Sequence, residues 1–345
     1  MDTFVYKDHK KLRCGYTTGT CAALAAQGAV RFLLTGSWKE TEEIMTPKGI
    51  PVCVSLEEKT SGDSWAECAV RKDAGDDYDV TNGILVYARA EFVKDKNFYE
   101  KVQMSHLESS GFGVAGEKPG LSPENQKQQK KANAAHQKEA LPESLVRIDG
   151  GIGIGRITKS GLDQPVGAAA INSVPRKMIR DAVYELLEEA GELRLVSITI
   201  SVPAGVEAGK KTFNPVLGIE GGISVLGTSG IVEPMSEEAL VETIRTHLNV
   251  LKAEGRKWVI AVPGNMGAGF LERYLVEHGK FCTDAHQGSN AADTDAAVEA
   301  EQIDYGELST GTEPSLLEGF MNSLVTMSNF VGKTIDLAAE LGFSG

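Results

Sequence analysis

The sequence predicts a mixed α/β protein in two domains, residues 1–235 and 236–345. Segments with helical period alternate with segments of strand period, which is the pattern of layered α/β domains. At 345 residues and 41% apolar side chains, the chain is long enough for one large or two medium cores.

The elements follow in order. Residues 21–34 (CAALAAQGAVRFLL) are helix-forming, and 50–56 and 65–71 alternate apolar and polar positions like paired strands. Residues 83–90 (GILVYARA) read as a further strand, followed at 107–145 by a polar, Gln/Lys/Ala-rich insertion expected as a mobile loop or solvated helix. The stretch 175–190 opens with Pro175 as a helix start and closes before Gly191. Residues 193–202 form a strand, 236–253 a helix entered through Ser236-Glu-Glu, and 257–262 a strand ending in Pro263-Gly-Asn265. An acidic insertion at 283–318 precedes a mostly helical 321–341.

Charge narrows the partners. The net charge of −13 argues against nucleic acid, but nine acids between Cys282 and Phe320, with no Lys or Arg among them, supply most of the imbalance. Between Gly150 and Arg180 the balance reverses, with Arg156, Lys159, Arg176, Lys177 and Arg180 against Asp163 and Asp181. A local basic, glycine-rich stretch in an acidic protein suits a small anionic ligand. No run has the length of a membrane helix, and the first twenty residues lack the apolar core of a signal peptide, so a cytoplasmic location is expected. The five cysteines (Cys14, Cys21, Cys53, Cys68, Cys282) have no C-x-x-C spacing and read as buried free thiols. The six histidines do not cluster, so neither a metal site nor a catalytic triad is expected.

Five stretches could carry chemistry. Gly15-Tyr-Thr-Thr-Gly-Thr20 leads into the alanine-rich helix, presenting N–H groups and the hydroxyls of Thr17, Thr18 and Thr20 where the helix dipole is positive. A simple capped turn is the competing reading. Asp149-Gly-Gly-Ile-Gly-Ile-Gly155 fits D-x-G-x-G-x-G, a glycine loop that seats S-adenosylmethionine in many methyltransferases, yet no helix follows it directly. A plain glycine-rich turn competes with that reading. In the third, Asn172 precedes a helix whose first turn carries Arg176 and Lys177; cations there oppose the dipole, so either an anion is held between them or they are solvated surface charge. Residues 201–235 hold too many glycines for one regular element, and such a long ordered loop is expected to be functional. Pro263-Gly-Asn-Met-Gly267 follows a strand, a usual ligand position in α/β sheets.

In their order along the chain, LRCGYTTGTCAALAA, DGGIGIGRITKSGL, GAAAINSVPRKMI, the 198–236 block, VPGNMG and SNFVG resemble the CbiD family, the cobalt-precorrin-5B C-1 methyltransferases of the anaerobic route to cobalamin. The resemblance implies an α/β fold distinct from the common Rossmann-like methyltransferase, S-adenosylmethionine as methyl donor and an anionic cobalt-tetrapyrrole as substrate. It leaves room for neighbouring pathway enzymes as partners and implies neither nucleic acid nor membrane. The donor is expected at Asp149, Gly151, Gly153, Gly155, Gly227, Thr228, Glu233, Gly264 and Asn265. The substrate is expected at Tyr16, Thr17, Thr18, Thr20, Asn172, Arg176, Thr212, Asn214 and Asn329, with Arg13, Arg156, Lys159 and Lys211 as further cations for its carboxylates. No catalytic residue is assigned. Family members continue beyond the equivalent of Gly332 and its helix into a strand and a Gly-His-x-Gly-Lys stretch, so the second domain is expected to be truncated at its end. The competing functions are an ATP-dependent small-molecule kinase, which the missing Walker lysine after Gly155 disfavours, and a non-catalytic carrier of a corrinoid intermediate.

Overall fold

The structure is a computed structural model that describes residues 3–93, 145–278, 323–327 and 330–343. The acidic insertion, Cys282, Asn329 and all of the first insertion except Leu145 lie outside the described residues. Contacts divide the chain into two units: residues 1–158 with 163–235, and residues 159–162 with 236–345.

The first unit opens with a hairpin, β1 (Phe4–Lys7) and β2 (Lys10–Arg13), turned by Asp8 and His9 at φ 48° and 63°. Two successive positive φ angles are what a tight two-residue hairpin needs. After β3 (Gly15–Tyr16), helix α1 (Thr18–Thr35) begins with the Thr17 cap and ends at Gly36 in the left-handed conformation. β4 (Thr41–Met45) and β5 (Pro51–Ser55) pair with each other; β6 (Glu57–Ser61), β7 (Trp65–Arg71), β8 (Leu85–Phe92) and β9 (Val146–Gly150) enter the main sheet. The short strands β10 (Gly153–Ile154) and β11 (Arg156–Ile157) precede helix α2 (Ser173–Ala190) and strand β12 (Val196–Ser201). The glycine-rich stretch after β12 breaks into α3 (Gly205–Gly209), α4 (Asn214–Leu217), β13 (Ile219–Glu220), β14 (Gly222–Ile223) and β15 (Ile231–Val232).

The main sheet has the order β6-β7-β8-β12-β9, with only the β12–β9 pair parallel. It is thus not a doubly wound parallel sheet, in line with the expected departure from the Rossmann-like methyltransferases. Alternation puts Ala66, Cys68, Val70, Val86, Ala88, Ala90, Val196, Ile198 and Ile200 on one face, where they share a core with α1 and α2. α1 is buried from Thr18 to Val30 because its own side chains are mostly alanine and those opposite are small. The expected pairing of 50–56 with 65–71 is corrected: β5 pairs with β4, and β7 lies between β6 and β8.

The second unit holds α5 (Glu237–Ala253), β16 (Ile260–Val262), α6 (Gly264–His278), β17 (Leu324–Thr326) and α7 (Val331–Glu340). β16 and β17 pair in parallel, and Ile244, Leu248, Leu251, Val325, Met327 and Leu337 form its core. The expected helix over 321–341 therefore starts late, because Leu324-Val-Thr326, rich in β-branched residues, extends the β16 sheet instead. His247 on α5 is buried, and burial pulls its pKa down from 6.5 to about 4.

Two measurements check this architecture. Gly153 has φ 75°, and a Cβ there would lie 1.7 Å from the Val202 carbonyl oxygen, whereas Gly167, also at positive φ, has nothing within 4 Å. Gly153→Ala is expected to cost about 3 kcal/mol or more in denaturant unfolding and Gly167→Ala about 1 kcal/mol, from backbone strain alone. Because the folded state keeps His247 neutral, its share of stability is complete above the unfolded pKa of 6.5 and is lost as pH falls from there towards about 4. Unfolding of His247→Leu followed against pH is expected to flatten that limb by up to about 1.4 kcal/mol per pH unit.

Candidate functional site

The described structure brings the amino-terminal ends of α1 and α2 together beneath one loop. A Cβ on Gly19 would lie 2.9 Å from Cγ of Pro175, so the first turns of the two helices touch through a glycine and a proline. Residues 225–230 run across both ends. Val225 accepts from the Asn172 amide at 3.1 Å, Leu226 accepts from the Gly19 amide at 3.0 Å, and Gly230 accepts from the Thr17 amide at 3.1 Å. Gly227 sits against Thr17 so closely that a Cβ would meet its side chain at 2.2 Å.

The three threonines divide into two roles. Thr17 caps α1, its Oγ1 accepting from the Thr20 amide at 3.2 Å, and Thr20 Oγ1 donates to the Gly230 carbonyl at 2.7 Å. Those hydroxyls fasten the helix to the crossing loop. Thr18, 7% exposed, has no side-chain hydrogen bond among the described residues. The Asn172 side chain likewise has no partner there and makes no cap, and neither helix carries an acid in its first turn. Thr228 is exposed on the loop above. With most of the first-turn amides taken up by the chain, what this place keeps for an anion is the dipole of two helix ends, a spare hydroxyl and a spare side-chain amide.

Part of the expected anion position at α2 is filled by the chain itself. Asp163 accepts from the Ser173 amide at 2.5 Å and from its hydroxyl at 2.9 Å, a cap from ten residues upstream that the sequence reading missed. Arg176 points back into the fold, donating from Nε to the Ile171 carbonyl at 2.7 Å, from Nη1 to Ile148 at 2.9 Å and from Nη2 to Ala169 at 3.3 Å. Burial pulls its pKa down, and the neighbouring charge of Arg180 adds to that. The helix also begins at Ser173 rather than at Pro175, with Asn172 as the residue before it.

The glycine loop is packed against the chain's own backbone. Gly153 pairs with Gly222, and Cβ atoms on Gly205 and Gly222 would meet the Gly153 carbonyl oxygen at 2.4 and 2.1 Å. The Gly151 and Gly155 amides donate to Ile200 and Ile223 at 2.7 and 2.8 Å. Asp149 is forked by Arg156 at 2.7 and 3.1 Å and accepts from the Gly150 amide; the Arg156 bond holds its carboxyl below the usual range. In this arrangement these glycines serve close packing of strands and a short helix.

The remaining candidates are dispersed. Arg13 forks Asp73, and the Tyr16 hydroxyl donates to the Arg71 carbonyl at 2.8 Å, with burial pushing its pKa up. Thr212 bonds to Gly209, and Asn214 ties α4 to Gly222 at 3.1 Å. Lys211 is exposed, and Glu233 pairs with Lys48. Lys159, paired with Glu254 at 3.0 Å, and Gly264 and Asn265 belong to the second unit. No cluster of metal-ligating side chains occurs among the described residues.

Fold and site define an α/β protein in which the first turns of two helices meet under one loop and leave the Thr18 hydroxyl and the Asn172 side-chain amide unpaired among the described residues. A family model described as CbiD matches residues 5–128 and 126–234, and the chain belongs to the CbiD family. It is 40% identical to a cobalt-precorrin-5B C(1)-methyltransferase of Thermoanaerobacter sp. (strain X514) over 287 residues, 81% of this chain and 64% of the relative. An enzyme of the same name from Clostridioides difficile (strain 630) is 39% identical over 80% of this chain and 64% of its own length. The chain thus spans just under two thirds of these relatives. The crystal structure of CbiD from Archaeoglobus fulgidus superposes with a TM-score of 0.42 at 25% identity, covering 81% of this chain and 71% of that one.

The two threonine roles can be separated by stability. Thr20→Val removes one of the two donors to the buried Gly230 carbonyl, leaving it the Thr17 amide, and is expected to cost about 1–1.5 kcal/mol in thermal or denaturant unfolding. Thr18→Val removes no bond and is expected to stay within about 0.5 kcal/mol of the parent. Equal losses would contradict the division.

Proposed function

We propose that the chain methylates C-1 of cobalt-precorrin-5B, giving cobalt-precorrin-6A, with S-adenosylmethionine as donor, in the cytoplasm. The observation that carries this reading is the 40% identity, over 81% of the chain, to a relative named for that reaction. No helix among the described residues is long and apolar enough to cross a membrane.

The geometry supports the reading at one place. The substrate is a macrocycle ringed by acetate and propionate groups, so it calls for dispersed anion seats rather than one deep charged pocket. The joint end of α1 and α2, with Thr18, Asn172 and Thr228, is such a seat; Arg13, Arg156 and Lys211 stand elsewhere on the same unit. When bound, the donor supplies an electrophilic sulfonium methyl. Its expected residues fit unevenly: the glycines of 151–155 are closed by packing, while Gly264, at φ 62°, has open space where a Cβ would be, and Thr228 is exposed. The protein's own contribution is to bind, orient and exclude water, for which neither a triad nor a metal is required.

Mass spectrometry of cobalt-precorrin-5B incubated with the chain and methyl-labelled S-adenosylmethionine tests the proposal. The labelled methyl is expected on the ring, and Thr18→Val combined with Asn172→Ala is expected to raise KM for the macrocycle about tenfold, the loss of one or two hydrogen bonds to an anion. Binding of the macrocycle without any transfer or donor binding would favour the carrier reading instead.

A further inference from the structure

Arg180 carries a buried donor that the described fold leaves unused. It lies one helical turn beyond Arg176 on α2, and its Nε is sealed from solvent without an acceptor. The carboxylates whose charge reaches neighbouring Arg176, Asp149 and Asp163, are committed to Arg156 and Ser173, and Asp181, next in sequence to Arg180, to Lys177. Arg176 offers no relief, because its guanidinium is held by backbone carbonyls and keeps its charge without an ion pair among the described residues. Two guanidinium groups four residues apart on a helix repel each other, and arginine does not escape by losing its proton. The charge of Arg180 also helps to lower the Arg176 pKa, after burial. The place is the outer edge of the sheet, since Arg176 reaches Ile148 on β9, the terminal strand.

We propose that Arg180, beside the fixed charge of Arg176, receives a carboxylate of one of the two reaction ligands. The inference rests on the methyltransferase reading and adds to it a binding residue that no motif in the sequence marks. A guanidinium fork matches a carboxylate in plane and spacing, and an anion placed between the two arginines turns their repulsion into a joint attraction. The carboxylate comes either from an acetate or propionate arm of the macrocycle or from the amino-acid end of the donor.

Calorimetric titration of the full chain distinguishes these sources and tests the role. The ligands are cobyrinic acid against its permethyl ester, and S-adenosylhomocysteine against its carboxyl methyl ester. In the parent, one acid is expected to bind at least tenfold more tightly than its ester, and Arg180→Gln is expected to abolish that preference while leaving Tm unchanged or higher. Arg180→Lys, which keeps the charge without the fork, is expected to retain only part of it. The pair affected names the source. Preferences in both variants equal to those of the parent would overturn the inference while leaving the methyltransferase reading intact, and so would a fall in Tm in Arg180→Gln with the acid preference preserved in Arg180→Lys. A parent chain that binds neither acid would overturn both.

Discussion

The close approach of α1 to the main sheet is the constraint from which the rest of the first unit follows. Ala22, Ala25, Ala26 and Ala29 face a sheet surface of Ala66, Cys68, Ala88 and Ala90, so backbone nearly meets backbone; the Cys68 thiol even reaches the Ala25 carbonyl at 3.2 Å. Gly28 extends the pattern, since a Cβ there would press on Leu56 at 2.5 Å. Small side chains give little transfer free energy each, so the stabilisation comes from the continuity of contact over an 18-residue helix. A helix buried this deeply cannot leave its terminal amides to water. The Thr17 hydroxyl and the carbonyls of Leu226 and Gly230 accept from the amides at this end, the Thr20 hydroxyl ties the helix to the same loop, and α2 laid alongside then has its own first turn carried to the same place.

How much of this was legible in the sequence depends on the range of the interaction involved. α1 and α5 begin at their own capping residues Thr17 and Ser236, and α1 and α2 end at Gly36 and Gly191, because such caps are written within four residues of the helix they serve; the start of α2, capped from Asp163 ten residues away, is not. The hairpin at Asp8-His9 lacked any glycine to announce it, and β17 was read as helix because its pairing with β16 arises across more than sixty residues. The glycines of 149–155 were the hardest to read. A glycine that lets a ligand approach and a glycine that lets a strand approach have the same residue type and spacing, and only the partner at 202–222 tells them apart.

The same limit governs the charges. Arg13 and Asp73 are sixty residues apart, and Arg31 and Glu42 bind α1 to β4 with the carboxylate almost fully buried. Such pairs leave no local signature, so every arginine in a basic stretch looks equally available for a ligand. The structure sorts them. Arg156 is answered by Asp149 and Arg176 by carbonyls, while the cap on α2 comes from Asp163 rather than from a bound anion. What is left over is small, local and specific: the Thr18 hydroxyl, the Asn172 amide and the Arg180 guanidinium.

These leftover groups share one property with consequences for how the site behaves. Threonine and asparagine side chains carry no titrating proton, and arginine keeps its own throughout the physiological range. Tyr16, on the strand that leads into α1, is held neutral by burial. An anion seated at either place would therefore meet the same field from mildly acid to mildly alkaline pH, and its own carboxyl would supply the pH dependence at the acid end. Salt is the stronger lever on the exposed cations, since their attraction for a distant carboxylate is screened within about 10 Å at moderate ionic strength, whereas contacts at the partly buried helix ends are screened far less. Recognition built this way depends on geometry held by packing, which returns the burden to the small residues between α1 and the sheet.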